Sequence, residues 1–317
     1  MTRVSLVIRA FNEEKHLGRL LEGVRQQTVR DVEVILVDSG STDRTVEIAQ
    51  TYGAKVVHIR PQEFTFGRSL NMGIAAAQGD IIAIASAHVY PIYPDWLEKL
   101  TAPFDDPQVA LTYGKQRGME TTQYSEHQIF ARWFPDVPLP QQTDVPFCNN
   151  ANAAIRRALW QQHPYDETLT GLEDLAWAKW AHTQGYAIRY VPEAAIIHIH
   201  NETPRVVLNR YRREAMAFKK IYPEAHFNLY DFARMTLSNI FYDAYHAARE
   251  RVLWRSLLSI VWFRTMQFWG TYQGYRRAAE WSWSLRQTFY YPRGLVRDTP
   301  PERDIEPIRY NETSEKP

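Results

Sequence analysis

At 317 residues, 45% of them hydrophobic, the chain is long enough to bury a sizeable core and to form two domains. Lysine and arginine number 37 against 36 acids, a formal net charge of +1, which excludes the charge signature of a nucleic-acid partner. A single cysteine excludes an internal disulfide framework, and no signal-like apolar segment opens the chain, so a cytoplasmic protein is expected.

Residues 4–8 (Val-Ser-Leu-Val-Ile) read as a first strand. A helix over 14–27 follows, with Leu17, Leu20, Leu21 and Val24 at i, i+3, i+4, i+7. Residues 34–37 (Val-Ile-Leu-Val) form a short run rich in β-branched side chains, the pattern of a strand buried on both faces. That run ends in Asp38, then a Ser39-Gly40-Ser41 turn, then Thr42-Asp43 placed to cap a helix over 43–52 that Gly53 ends. A third strand over 55–59, a helix over 66–78 stopped by Gly79, and an apolar strand over 80–85 complete the pattern. Strand–helix alternation at this period means βαβ units, a mostly parallel sheet and right-handed crossovers. Asp38 then lies at the carboxyl end of a strand, where open α/β sheets bind ligands. Its carboxylate either accepts from a nucleotide's base or ribose, or caps the following turn.

Further on, residues 109–111 read as a strand, with 114–116 (Gly-Lys-Gln) as a donor-site edge. Asn149, Asn150 and Asn152 precede a helix expected near Ile155, and serve either hydroxyl-rich sugars or turn and cap positions. Glu173-Asp174 sits where a helix begins at Leu175; these acids are either a general base and its neighbour or a first turn favoured by the helix dipole. A strand-like run over 194–197 leads into His198-Ile199-His200, whose rings share one face at strand period. From 203 to 290 the sequence turns rich in Arg, Tyr and Trp and reads as helices. Residues 253–269 are apolar over most of the circumference, yet the uncharged stretch between Arg255 and Arg264 is far below the roughly 20 residues of a membrane span. This helix suits either a membrane interface or packing on the rest of the chain or a second subunit. No G-x-G-x-x-G or P-loop motif is present, which disfavours dehydrogenases and NTPases.

Taken in order, residues 8–14 (Ile-Arg-Ala-Phe-Asn-Glu-Glu), 27–28, 37–45 (Val-Asp-Ser-Gly-Ser-Thr-Asp-Arg-Thr), 67–73, 79–82, 86–88 (Ser-Ala-His), 94–97, 148–157, 173–179, 191–194 and 198–200 resemble family 2 glycosyltransferases with the GT-A fold. The resemblance spans residues 2–204 and leans toward rhamnosyltransferase-like and exopolysaccharide-type members. It implies a GT-A catalytic domain over 1–203 and a helical C-terminal region over 204–290, with 291–317 read as a mobile tail. It also implies inverting transfer of a sugar from a UDP, dTDP or GDP donor to a glycan or lipid-linked acceptor, with Asp174 as base and Glu173 orienting it. Donor contacts fall on Arg9, Phe11, Glu13, Asp38, Ser39, Arg68, Ser86, Ala87 and His88, and acceptor contacts on Asn149, Asn150 and Trp177.

Two departures from the family matter. Arg9 stands where many members have Pro, and either contacts a phosphate or pairs with a neighbouring acid. Ser86-Ala87-His88 replaces Asp-x-Asp, putting His88 where a metal-holding acid is expected. Imidazole suits Mn better than Mg, so a divalent cation held by His88, His198 and His200 is one reading. A protonated His88 touching the diphosphate without metal is the other. Competing classes are a non-catalytic nucleotide-sugar-binding protein and, disfavoured for want of a glycine-rich triphosphate loop, a sugar-nucleotide pyrophosphorylase.

Overall fold

In the computed structural model, which describes residues 3–138, 146–200, 202–276 and 305–308, the N-terminal half alternates as the sequence predicts. Strand β1 (Val4–Ala10) is followed by α1 (Leu17–Arg25), β2 (Glu33–Asp38), α2 (Thr45–Thr51), β3 (Lys55–His58), α3 (Phe66–Ala76) and β4 (Ile81–Ser86). Then come β5 (Val89–Pro91), α4 (Trp96–Thr101), β6 (Val109–Arg117), α5 (Tyr124–Trp133), β7 (Asn152–Arg156), α6 (Arg157–Gln162), α7 (Glu173–Thr183) and β8 (Ala187–His198). Three long helices follow, α8 (Pro204–Ile221), α9 (Leu229–Arg249) and α10 (Leu253–Tyr275). Of the tail expected over 291–317, only 305–308 are described, and there the Ile308 N–H donates to the Ile92 carbonyl; 277–290 of the helical region also lie outside the described residues.

The strands form one eight-stranded sheet in the order β3-β2-β1-β4-β7-β6-β8-β5. Strands β3, β2, β1 and β4 run parallel, β6 runs parallel to β8, and β7 lies antiparallel between β4 and β6. Side-chain alternation along β1 splits the core between two faces: Leu6 and Ile8 join α1 and Trp96 on one side, and Val7 joins Leu70, Ile74 and Trp177 on the other. On that second face α3 comes so close that a Cβ on Gly73 would overlap Val7 and Val37.

One expectation is overturned here. The helix read near Ile155 is strand β7, and helix α6 starts only at Arg157. Ala153, Ala154 and Ile155 are wholly buried between β4 and β6. A short apolar run of this kind has no periodicity to separate strand from helix, and only the gap between two strands decides it. Asn152 anchors β7: its side chain accepts from the Trp96 indole (2.8 Å) and donates to the carbonyls of Lys115 (3.1 Å) and Ala194 (2.8 Å). That amide is consumed by structure.

The helical layer packs on α7 through a third apolar cluster including Leu175, Phe218, Met235 and Phe268. Helix α10 lies close along α8, where a Cβ on Gly270 or Gly274 would meet the α8 backbone at Leu208 or Arg212. Its buried Arg264 ties three helices together, donating to both Asp243 oxygens on α9 (2.7 and 3.0 Å) and to the Ser125 carbonyl on α5 (3.3 Å). The Ser125 hydroxyl also donates to Asp243 (2.6 Å), which is fully buried. Arg264→Met therefore leaves a buried carboxylate without its cation, and urea unfolding should show a loss of about 3–5 kcal/mol. Replacing Asp243 by Leu in the same chain should restore most of it.

Candidate active site

The parallel strands end together. The register sets Arg9 opposite Ser86 and Ala10 opposite Asp38, so the carboxyl ends of β2, β1 and β4 share one edge. The loops leaving β1 and β2 are bonded to each other: Asn12 N–H donates to Ser41 (2.9 Å), Glu13 N–H to Thr45 (2.7 Å) and Glu14 N–H to Asp43 (3.1 Å). Asp43 also accepts from the Thr45 N–H (3.0 Å) at the start of α2. Asp38 is buried and accepts from the backbone of Gly40 (3.2 Å) and Ser41 (3.1 Å), with His58 at 3.3 Å. Ser39 is buried on the Ala10 carbonyl, while Phe11 is 56% exposed at the same edge. Arg68 is half-buried in the first turn of α3, and Ala87 is buried beside a half-buried Ser86.

His88 follows β4, and His198 and His200 leave β8; β5 pairs Val89 with His198 and so brings the three rings together. One nitrogen from each lies within 4.8 Å of the others. Every Nδ1 has its own partner: Glu13 for His88 (2.8 Å), the Gln116 side-chain oxygen for His198 (2.7 Å) and Glu126 for His200 (2.7 Å). With hydrogen on Nδ1 facing those acceptors, each Nε2 keeps its lone pair. The Nε2 atoms of His198 and His200 face each other at 3.0 Å. The opposite tautomer of His200 would set a lone pair against the Glu126 carboxylate, although Arg210 also lies 3.1 Å from that Nδ1. Two imidazoles bound at right angles to an ion at about 2.1 Å would stand about 3 Å apart, so the spacing fits a cation. Burial first, then His200, His88 and Arg210, push His198 well below its ordinary range, which keeps that ring neutral. Three imidazoles, each oriented from behind by an oxygen acceptor, suit a transition ion far better than Mg.

Glu126 is the residue that sequence reading missed, with Arg210. Burial opposes its charge, but Arg210 and His200 hold it down to about 2, and Arg210 donates to it at 2.8 Å. The available signal was an acid at the i−4 position from Phe130 on an otherwise inward helix face. Glu13, expected at the nucleoside, has one carboxylate oxygen on His88 Nδ1.

Helix α7 begins at Glu173, behind Leu172 in the left-handed region (φ 56°). Glu173 pairs with Arg9 at 2.8 Å, so of its two readings Arg9 takes the neighbouring acid, with its guanidinium over Phe66. Asp174 accepts from the N–H groups of Asn150 (2.9 Å) and Leu175 (2.8 Å). Burial and then Glu173 push its carboxyl up to about 7 against those bonds. A carboxylate balanced there is poised to take a proton at neutral pH.

Asp174, His198 and His200 line one cavity of about 170 Å³ between the sheet and the helical layer. Phe130, Trp133 and Phe147 form part of its wall, as does Asn149. Asn150 meets it only through the bond to Asp174. Trp177 does not reach it: the ring is 1% exposed in the core, with its indole N–H on the His163 carbonyl (2.8 Å). An apolar aromatic on the inward face of α7 was more valuable as core than as a sugar platform.

Residues 5–163, half of the chain, match the family described as Glycosyl transferase family 2. The chain belongs to that family. It is therefore a glycosyltransferase. Among its relatives is the O-antigen chain rhamnosyltransferase RfbN of Salmonella typhimurium, 26% identical over 66% of this chain and 70% of that protein. Another is the O-antigen chain rhamnosyltransferase WbaN of Salmonella anatum, 30% identical over 67% and 70%. In fold it is similar to the mannosyltransferase PcManGT from Pyrobaculum calidifontis, solved with GDP-Man and Mn2+, with TM-score 0.58, 18% identity and coverage of 92% and 88%. Glucosyl-3-phosphoglycerate synthase from Mycobacterium tuberculosis, solved with Mn2+ and UDP, gives TM-score 0.52, 23% identity and coverage of 69% and 80%. These likenesses establish the GT-A fold.

If the histidine cluster holds a cation, Glu126→Gln should weaken Mn(II) or Co(II) binding by about 10–100-fold, because His200 loses the charged acceptor that orients it. Calorimetric titration and the Co(II) visible spectrum measure this without any turnover. Unchanged affinity would remove His200 from the ligand set.

Proposed function

We infer that the protein moves one sugar from a nucleoside diphosphate donor to a hydroxyl of a glycan or lipid-linked acceptor, inverting by single displacement. The observation that carries this reading is that a carboxylate balanced near neutrality and two members of the histidine cluster, His198 and His200, line one cavity. The donor lies along the strand edge, with Phe11 free to stack on a base and Asp38, Ser39, Arg68, Ser86 and Ala87 around the nucleoside. UDP, dTDP and GDP donors all fit this description. His88, His198 and His200 are the residues that would hold a divalent cation, Mn before Mg, and such an ion supplies positive charge to the departing diphosphate.

The chain's own residues do the rest. The acceptor hydroxyl presented in the cavity gives its proton to Asp174 as its oxygen bonds to the anomeric carbon. Asn150 and Leu175 N–H groups fix the carboxylate's direction. Glu173, held by Arg9, adds the negative charge that raises Asp174's affinity for that proton. Asn149 stands at the cavity wall to receive a sugar hydroxyl. Retention of this base argues against a non-catalytic nucleotide-sugar sensor. The C-terminal helices are the surface available to a membrane or a second copy.

Transfer should rise with pH through about 7, as Asp174 loses its proton. Asp174→Asn should cut turnover by about a hundredfold or more while a nucleotide sugar still raises the melting temperature. Because the folded state binds this proton more tightly than the unfolded chain does, its stabilisation is full below the ordinary carboxylate range and is lost as pH rises through about 7. The Asn variant should therefore be no less stable than the parent above that pH. A variant that keeps its turnover, with donors of each base tested, would sink the assignment of the base.

A further inference from the structure

Helices α9 and α10 turn a second face outward. Tyr230, Phe241 and Tyr245 on α9 are 71%, 70% and 59% exposed, opposite the inward stripe of Met235, Asn239, Asp243 and Ala247. On α10 the first buried residue is Ile260, so the turns before it project, with Trp254 87% and Leu258 80% exposed. Three exposed arginines, Arg249, Arg251 and Arg255, ring the junction of the two helices. The one acid between them, Glu250, accepts from the Tyr124 hydroxyl of α5 (3.0 Å).

We propose that this α9–α10 tip docks on an anionic lipid surface, with Phe241, Trp254 and Leu258 entering the headgroup boundary and the three arginines pairing with lipid phosphates. Aromatic and aliphatic side chains beside arginines are the composition that rests at a bilayer interface. Charge selects the occupant. A second copy joined symmetrically through the same tip would set one arginine cluster against another, whereas an anionic headgroup layer complements it. Contact is at the interface, since no helix among the described residues is long and apolar enough to cross a membrane. The inner faces of the same helices contribute Asn239, Phe268, Thr271 and Tyr275 to the reaction cavity. Docking thus holds the enzyme at the surface where a lipid-linked acceptor resides; that choice between acceptors rests on the transferase reading, while docking itself does not.

Co-sedimentation with vesicles of phosphatidylcholine, alone or with phosphatidylglycerol as the minor lipid, tests the docking on the full chain. Binding should require phosphatidylglycerol, weaken from low to high salt, and fall about tenfold in the Phe241→Ala, Trp254→Ala, Leu258→Ala triple variant. Circular dichroism and an unchanged nucleotide-sugar thermal shift show that the variant is folded. No binding to either vesicle, or binding that the triple variant retains, overturns the proposal. So does a concentration-dependent dimer that the same substitutions dissolve in the absence of vesicle binding. A failed nucleotide-sugar shift alongside good vesicle binding would instead count against the donor reading alone.

Discussion

A single buried carboxylate joins the sheet to the helical layer. Glu126 on α5 receives His200 from the end of β8 and Arg210 from α8, and its neighbour Ser125 is bonded to Asp243 and Arg264 on α9 and α10. An ionised acid at this depth is tolerable only because a guanidinium and an imidazole surround it. The consequence is that the orientation of a candidate metal ligand and the docking of α8 depend on the same charge, while the adjacent Ser125 ties in α9 and α10 through the Asp243–Arg264 pair. Disturbing either end should be felt at the other.

A second constraint works from the opposite wall. Arg9 pairs with Glu173 and fixes it beside Asp174, whose proton is held by burial and by the Glu173 charge and loosened by Arg9. The two carboxylates are adjacent in sequence, yet one is tied into an ion pair and the other points its oxygens at backbone N–H groups beside the cavity. Differentiation of two neighbouring acids by their surroundings is how one helix start can supply both a base and its support. The histidines show the same logic with reversed sign: each is turned by an acceptor on Nδ1, and the Nε2 atoms of His198 and His200 are left facing each other.

The helical layer resolves a question that composition left open. The apolar circumference of residues 253–269 suits both interfacial contact and internal packing, and the helix divides along its length. From Ile260 onward it packs on α8 and the cavity, whereas Trp254 and Leu258 stay exposed. Its polar residues are not evidence against burial, because Arg264 donates both to Gln267 and to Asp243.

The βαβ half was legible because a buried parallel strand, a Gly stop and a 3.6-residue apolar period are local signals, and the ordered motifs carried the family. Asp38, His88, Asp174, His198 and His200 could be named as candidates for the same reason, since strand ends and helix starts are local too. Local signals failed where a neighbour decides the outcome. Ala153, Ala154 and Ile155 became a strand because β4 and β6 left a gap for one, and Trp177 went inward because α7 faces the core. Glu126 and Arg210 belong to no motif, and 84 residues separate them. The sequence by itself determined which chemistries the chain carries and the strand edge that presents them. Only tertiary packing decided which side chains meet, because ion pairing, burial and lone-pair direction are properties of contacts between distant segments.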